Sequence, residues 1–245
     1  MWVFLLSNIK HQTMTDKLEQ NIIESYKINA SAWADIIANE GIESRKLVTN
    51  KAIVDAILSH RPNSVLDVGC GEGWLVRAMV SQGINAMGID GVAELIDEAK
   101  KQNCGEFAVC DYHQINQCTA LKNHYDVIVC NFALLGKQST NAMLSSCANL
   151  LPNNSLLASK ARIIIQTLHP CFANPQDSYQ DGWQQGSWAG FPSSFTQPPD
   201  WYFRTLQSWI ALFNHCGLVL SNIIEPINPQ TNQPASIIFE CSKGK

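Results

Sequence analysis

Formal charge is scarce in this chain. Only 16% of its 245 residues are Asp, Glu, Lys or Arg, against about 25% in an ordinary globular protein. Acidic residues outnumber basic ones, 21 to 17, for a net charge of −4. That balance argues against a nucleic-acid partner held on a basic face. No apolar run approaches the roughly 20 residues that cross a bilayer, so no membrane partner is expected. The apolar start Trp2–Leu6 is too short for a secretory core and has no basic residue before it. Nine cysteines are present, an odd number with no C-x-x-C pair. A disulfide framework or zinc site is therefore not expected, nor any other metal centre, and reduced thiols in a cytoplasm are. Apolar residues make up 46% of the chain, enough for a sizeable core.

A second methionine, Met14, precedes Thr15-Asp16-Lys17-Leu18-Glu19, which reads as a helix start. Residues 1–13 are thus expected to be an extension outside the fold. Residues 16–59 read as helical, ending before Arg61-Pro62. Strands and helices then alternate. Val65–Val68, Ala86–Ile89, Phe107–Cys110, Tyr125–Cys130 and Arg162–Ile165 are apolar strand runs, with helices at Trp74–Gln82, Glu94–Ala99 and Asn141–Leu151. Continuous apolar strands separated by helices predict an α/β fold, a parallel sheet with helices on both faces. Thr205–Cys216 reads as a helix, and Leu218–Ile224 and Ser236–Phe239 as strands, with three prolines in the ten residues Glu225–Pro234 of the link between them. That link is too short for a parallel crossover, so the last strand should run antiparallel. The expected units are helices at 14–60, an α/β core at 61–170, an insertion at 171–203, and a helix with β-hairpin at 204–245.

Asp67-Val68-Gly69-Cys70-Gly71-Glu72-Gly73 lies between the first strand and the first helix of the sheet. Glycines there let the chain turn tightly and bring N–H groups against a ligand. Asp90 ends the next strand, where a carboxylate accepts from ribose hydroxyls. A dinucleotide fingerprint has its third glycine five positions after the first; here that position is Trp74. A ligand with ribose and no phosphate fits better, and a purely structural turn is the alternative.

With these residues the chain resembles the class I S-adenosylmethionine-dependent methyltransferases. The likeness rests on Val65–Gly73, Gly88-Ile89-Asp90, Val109-Cys110-Asp111-Tyr112 and Tyr125–Asn131, and on the reversed last strand. It implies a Rossmann-like sheet of seven strands, the last antiparallel, with S-adenosylmethionine as cofactor and S-adenosylhomocysteine as product. It implies that Asp67, Gly69, Cys70 and Gly71 form the methionine side, that Asp90 holds the ribose and that Asp111 accepts from the adenine amino group beside Tyr112. Asn131 and Phe132 would lie near the transferable methyl. In such proteins a residue of the N-terminal helices closes over the cofactor, and Arg45 is placed to hold the methionine carboxylate bidentately. Each has a plainer alternative: Asp111 as a helix cap, Asn131 and Phe132 as core, Arg45 as a solvated helix residue, Tyr26 and Trp33 as packing between helices.

The insertion at 171–203 carries nine aromatics, Phe172, Tyr179, Trp183, Trp188, Phe191, Phe195, Trp201, Tyr202 and Phe203. A long aromatic loop beside the carboxyl ends of the strands reads as a lid, with a satellite core as the alternative. Tyr26, Trp183, Trp188, Trp201 and Arg204 are the candidate substrate contacts. His169, just past the fifth strand, is the candidate base, or else a residue that orients its loop. The leading reading is methyl transfer to a small-molecule acceptor by a monomer or homodimer. An NAD(P)-dependent Rossmann oxidoreductase and a non-catalytic S-adenosylmethionine-binding protein are the competitors.

Overall fold

The computed structural model describes residues 2–121, 124–152, 161–171 and 178–244, residues 2–13 by backbone alone. Five short apolar strands, β1 (Ser64–Val68), β2 (Asn85–Asp90), β3 (Glu106–Val109), β4 (Val127–Asn131) and β5 (Arg162–Thr167), run parallel. The chain continues through a small hairpin, β6 (Gly182–Gln184) with β7 (Trp201–Phe203), and then β8 (Leu218–Ile224), β9 (Ile227–Asn228), β10 (Gln233–Pro234) and β11 (Ile237–Lys243). The main sheet has seven strands in the order β3-β2-β1-β4-β5-β11-β8. β11 lies between β5 and β8 and is antiparallel to both. This is the reversal expected from the short proline-bearing link, within which β9 and β10 pair with each other.

Both faces of the sheet are covered, because successive strand residues point to opposite sides. Leu66 and Val68 pack with α6 (Gln138–Leu150) and α7 (Leu206–His215) in one core; Val65, Val127, Val129 and Ile164 pack with α3 (Asn50–Ser59) and α4 (Trp74–Ser81) in the other. Helix α5 (Ala93–Lys101) lies over β2 and β3. Asp126 Oδ2 accepts from the N–H groups of Asn63 and Ser64, tying the start of β1 to that of β4.

The helical stretch before the sheet is less simple than its periodicity implies. It divides into α1 (Trp2–Ile28), α2 (Ala30–Ala38), a π-helical turn (Arg45–Thr49) and α3. The helical backbone begins at Trp2, upstream of the start expected at Thr15-Asp16. Asn29 separates α1 from α2 because its amide reaches out of the helix: it donates to Thr196 O (2.8 Å) and accepts from Thr196 N–H (2.9 Å). No local pattern announces a break whose cause is a partner 167 residues away. No helix among the described residues is long and apolar enough to cross a membrane.

Phe213 sits at the centre of the larger core, with ring centroids 5.8 Å from Trp209 and 5.2 Å from Phe239. Phe213→Ala should lower the unfolding free energy by about 3–5 kcal/mol, read as a shift in the urea midpoint at unchanged slope. A shift near zero would show that this aromatic triad does not bear on the stability of the sheet.

Candidate active site

The carboxyl ends of the parallel strands converge on the glycine loop. After β1 the N–H groups of Gly69 and Cys70 both donate to Ile89 O (2.8 and 3.0 Å), which holds the loop against β2. Gly69 has φ +75°, and a Cβ there would stand 2.4 Å from both Tyr112 Oη and Ala133 Cβ. At Gly71 (φ +56°) the same construction meets nothing within 4 Å. The first glycine is required by close packing, the second by backbone conformation beside open space. Gly71 N–H donates to Asp90 Oδ2 and Val92 N–H to Asp90 Oδ1, both at 2.9 Å. Burial pushes the Asp90 carboxyl up, and these two donors oppose that shift.

The space beside Gly71 is a cavity of about 390 Å³, within the size range of small-molecule sites. Gly69, Cys70, Gly71, Asp90, Asp111, Tyr112, Asn131, Phe132 and Arg45 all line it, so the structure gathers the cofactor candidates in one place, with the single exception of Asp67. Asp67 lies buried beneath the loop. Its carboxyl is pushed up to about 8 by burial and by the charges of Asp90 and Glu72, with Arg45 pulling the other way. Asp111 Oδ1 accepts from His113 N–H (2.8 Å) as a cap, and the residue also lines the cavity. Tyr112 Oη donates to Ala133 O (3.2 Å) over the glycine turn. Phe132, at the end of β4, has φ +53° and is held there by its N–H bond to Gln166 O (2.8 Å).

Four polar atoms on or under this surface are buried without a partner: Trp33 Nε1, Arg45 Nη2, Asp67 Oδ1 and Asn131 Oδ1. Buried polar groups are normally paired, so these atoms retain unused hydrogen-bonding capacity. Arg45 is fixed in place. Its Nε donates to Asn50 Oδ1 (3.1 Å) and its guanidinium lies 5.0 Å from the Trp74 ring centroid, which fixes the plane and leaves Nη2 free.

Of the acceptor-side candidates only Tyr26 lines the cavity; His169, Trp183, Trp188, Trp201 and Arg204 do not. His169 lies elsewhere: Nδ1 accepts from Cys171 N–H (3.2 Å) and Nε2 meets Glu225 Oε1 at 2.7 Å. Both ring nitrogens are engaged in holding the loop after β5. Arg204 is buried outside the cavity, donating to Gly136 O (3.1 Å) and Lys137 O (2.9 Å) between the rings of Tyr202 and Trp209. Trp183 packs on Tyr202, and Trp201 on Phe203. Trp188 joins Phe191 and Phe195 around Trp33. The insertion therefore forms an aromatic satellite core that buttresses the wall: Trp33 stacks on Tyr26 (5.6 Å, 2° between planes), and both of those line the cavity. Phe172 lies outside the described residues.

Sequence reasoning missed Glu19. From α1 its carboxylate accepts from Lys137 N–H and Gln138 N–H (2.6 Å each) and from Ser139 Oγ (2.5 Å) at the N-terminus of α6. That helix has no acidic residue in its own first turn, so Glu19 supplies the charge its dipole favours. Only the missing acid was visible in sequence, and it points to no particular donor.

The family profile described as a methyltransferase domain matches residues 65–154. Among curated relatives, a ubiquinone biosynthesis O-methyltransferase of Actinobacillus pleuropneumoniae serotype 7 is 35% identical over 100 residues, 38% of this chain and 43% of that protein. The Pectobacterium atrosepticum protein of the same name is 28% identical over 152 residues, 59% of this chain and 61% of that one. The chain thus matches about two fifths to three fifths of the length of these relatives. Among solved structures, a Burkholderia thailandensis 1,6-didemethyltoxoflavin-N1-methyltransferase superposes with TM-score 0.64 at 14% identity, covering 94% of this chain and 91% of that one. The plantazolicin methyltransferase BamL gives 0.63 at 17% identity over 96% and 99%.

The raised Asp67 carboxyl has a consequence for stability. Between the ordinary carboxylate range and about pH 8, the folded chain holds a proton there that the unfolded chain has lost. Unfolding free energy must then fall as pH rises across that window. Asp67→Asn should flatten this part of the stability–pH profile, measured by urea unfolding of the ligand-free protein. An unchanged slope would mean that Asp67 titrates normally.

Proposed function

The chain carries a class I S-adenosylmethionine-dependent methyltransferase domain, and from that premise we propose that it transfers the methyl group of S-adenosylmethionine to a small-molecule acceptor. The observation that carries this reading is the pairing of an acid-braced glycine turn with a guanidinium that keeps one nitrogen unpartnered across one cavity: Asp90 bonded to Gly71 N–H, and Arg45 Nη2 without a partner. A dinucleotide cofactor suits the loop poorly because Trp74 stands where its fingerprint needs glycine.

In this proposal the Asp90 oxygens, each already accepting one N–H bond, use their remaining lone pairs for the ribose hydroxyls. Asp111 faces the adenine amino group. Arg45 takes the methionine carboxylate, and Asp67 lies buried beneath the turn on that side. When bound, S-adenosylmethionine supplies an activated methyl on a sulfonium. The protein's part is alignment and exclusion of water, and fixed geometry can supply about 7–11 kcal/mol of such a barrier in favourable systems. The aromatic wall of Tyr26 and Trp33, backed by the insertion, serves the exclusion. The net charge of −4 supports a small molecule over nucleic acid, and nine unpaired cysteines support a cytoplasmic setting. His169 acts in this reading as a positioning residue for its loop.

Calorimetry of the purified chain with S-adenosylhomocysteine should give saturable one-site binding. Asp90→Ala should weaken it by at least about 100-fold, the order expected when a charged hydrogen-bond acceptor is lost, with the far-ultraviolet spectrum unchanged. No heat with the wild-type chain would remove the proposal. His169→Asn should leave that affinity within about twofold and retain most of the transfer rate, whereas loss of a general base would cost about 100-fold or more.

A further inference from the structure

The relatives' names disagree about the acceptor atom, one naming oxygen and another a ring nitrogen, and the cavity itself bears on the choice. Its described lining holds five carboxylates and one guanidinium, Arg45. Glu72 is neutralised by Arg77, and Arg45 lies at the glycine-loop end, fixed over Trp74. At the other end α1 contributes Asp16 and Glu19, the latter bonded to the N-terminus of α6, and the end of β4 with the segment after it contributes only neutral groups, Asn131, Phe132, Gln138 and Ser139 among them. Arg204, the other cation that an anionic acceptor would need, is spent on backbone carbonyls outside the cavity. His113, the one imidazole on the described lining, is exposed on the turn after the edge strand β3.

We propose that the acceptor is an uncharged small molecule methylated on nitrogen, a nitrogen heterocycle or amine, recognised at the end of the cavity between α1 and β4. This rests on the methyl-transfer reading above. The nitrogen lone pair forms the new N–CH₃ bond as the S–CH₃ bond breaks with its electron pair remaining on sulfur. Positive charge therefore moves from sulfur to nitrogen inside one negative field, and no proton need be removed first; an amine N–H proton leaves to solvent afterwards. An oxygen acceptor reacts best as an oxyanion, and this surface opposes the ionisation of oxygen acids. Burial raises the Tyr26 and Tyr112 hydroxyls and the Asp67 carboxyl, and the Asp90 charge raises all three further. Transfer to an oxyanion would also annihilate the cation that these carboxylates favour. Asn131 Oδ1, buried at the end of β4 without a partner, is placed to accept from an N–H of the acceptor and to orient its ring.

Isotopically labelled methyl donor, incubated with the full chain and a metabolite extract, should place its label on nitrogen, resolved by the carbon chemical shift of the product methyl. Label found in an ether or an ester overturns the inference. A second measurement needs no knowledge of the acceptor. The chain saturated with S-adenosylhomocysteine is titrated with N-methylquinolinium and with its anionic counterpart, naphthalene carboxylate, and followed by tryptophan fluorescence. The cation should bind at least roughly tenfold more tightly; equal or reversed affinities overturn the inference. Failure of S-adenosylhomocysteine itself to bind would instead strike the methyl-transfer reading beneath it, so the two failures are distinguishable.

Discussion

Two hydrogen bonds to one buried carboxylate organise the site. Asp90 ends β2 with 9% of its surface exposed and receives Gly71 N–H on one oxygen and Val92 N–H on the other. The glycine turn after β1 and the turn into α5 are thereby locked to each other through a side chain rather than through the sheet. Burial of a carboxylate is costly, and the two donors offset part of that cost. The residue also lines the cavity. The acid thus braces the loop and lines the cavity at once, and the loop's shape depends on a residue that belongs to the next strand.

The same burial creates the field around it. Asp67, Cys70, Tyr26 and Tyr112 are all shifted upward, first by loss of water and then in part by the charge of Asp90. One guanidinium, Arg45, enters this region from the π-helical turn between α2 and α3. Its own tendency to stay charged is lowered by burial and restored mainly by Glu72 and Asp67. An acid-lined pocket with a single fixed cation at one end suits a ligand that is itself cationic in the middle and carboxylate-bearing at one terminus. Charge complementarity of this kind gives orientation as well as affinity.

The sheet and the cofactor side were legible in sequence because their signals are local. Apolar runs of four to six residues, the Asp67–Gly73 turn and the acids closing β2 and β3 lie within a few positions of the feature they specify. The reversed strand β11 followed from the length of one link. What was not legible depends on long-range partners. Arg204 reads as a free cation until Gly136 and Lys137 present their carbonyls, 68 and 67 residues away in the chain. His169 reads as a base until Glu225 appears beside it across 56 residues. The aromatic insertion reads as a lid over the substrate, yet its rings turn inward on Trp33 and one another, since aromatic edges and faces pair more favourably than they contact water.

The roof of the cavity follows from these distant contacts. Helix α1 is held on one side by Glu19 at the N-terminus of α6 and, ten residues further on, by Asn29 on the backbone of Thr196. Ser25 adds a bond to Gln197 O (2.7 Å). The second anchor belongs to the same segment whose Trp188, Phe191 and Phe195 back the Tyr26–Trp33 stack. Gly136 must lack a side chain for the first anchor to form, because a Cβ there would collide with the Glu19 carboxylate. Arg204 in turn fixes the Gly136 and Lys137 carbonyls from below, so the carbonyls of the Glu19 docking segment are set by a residue at the end of β7. Two of the residues that sequence reading assigned to the acceptor, Trp188 and Arg204, thus serve the enclosure rather than the contact, and the acceptor's chemistry is left to the surfaces that this enclosure buries.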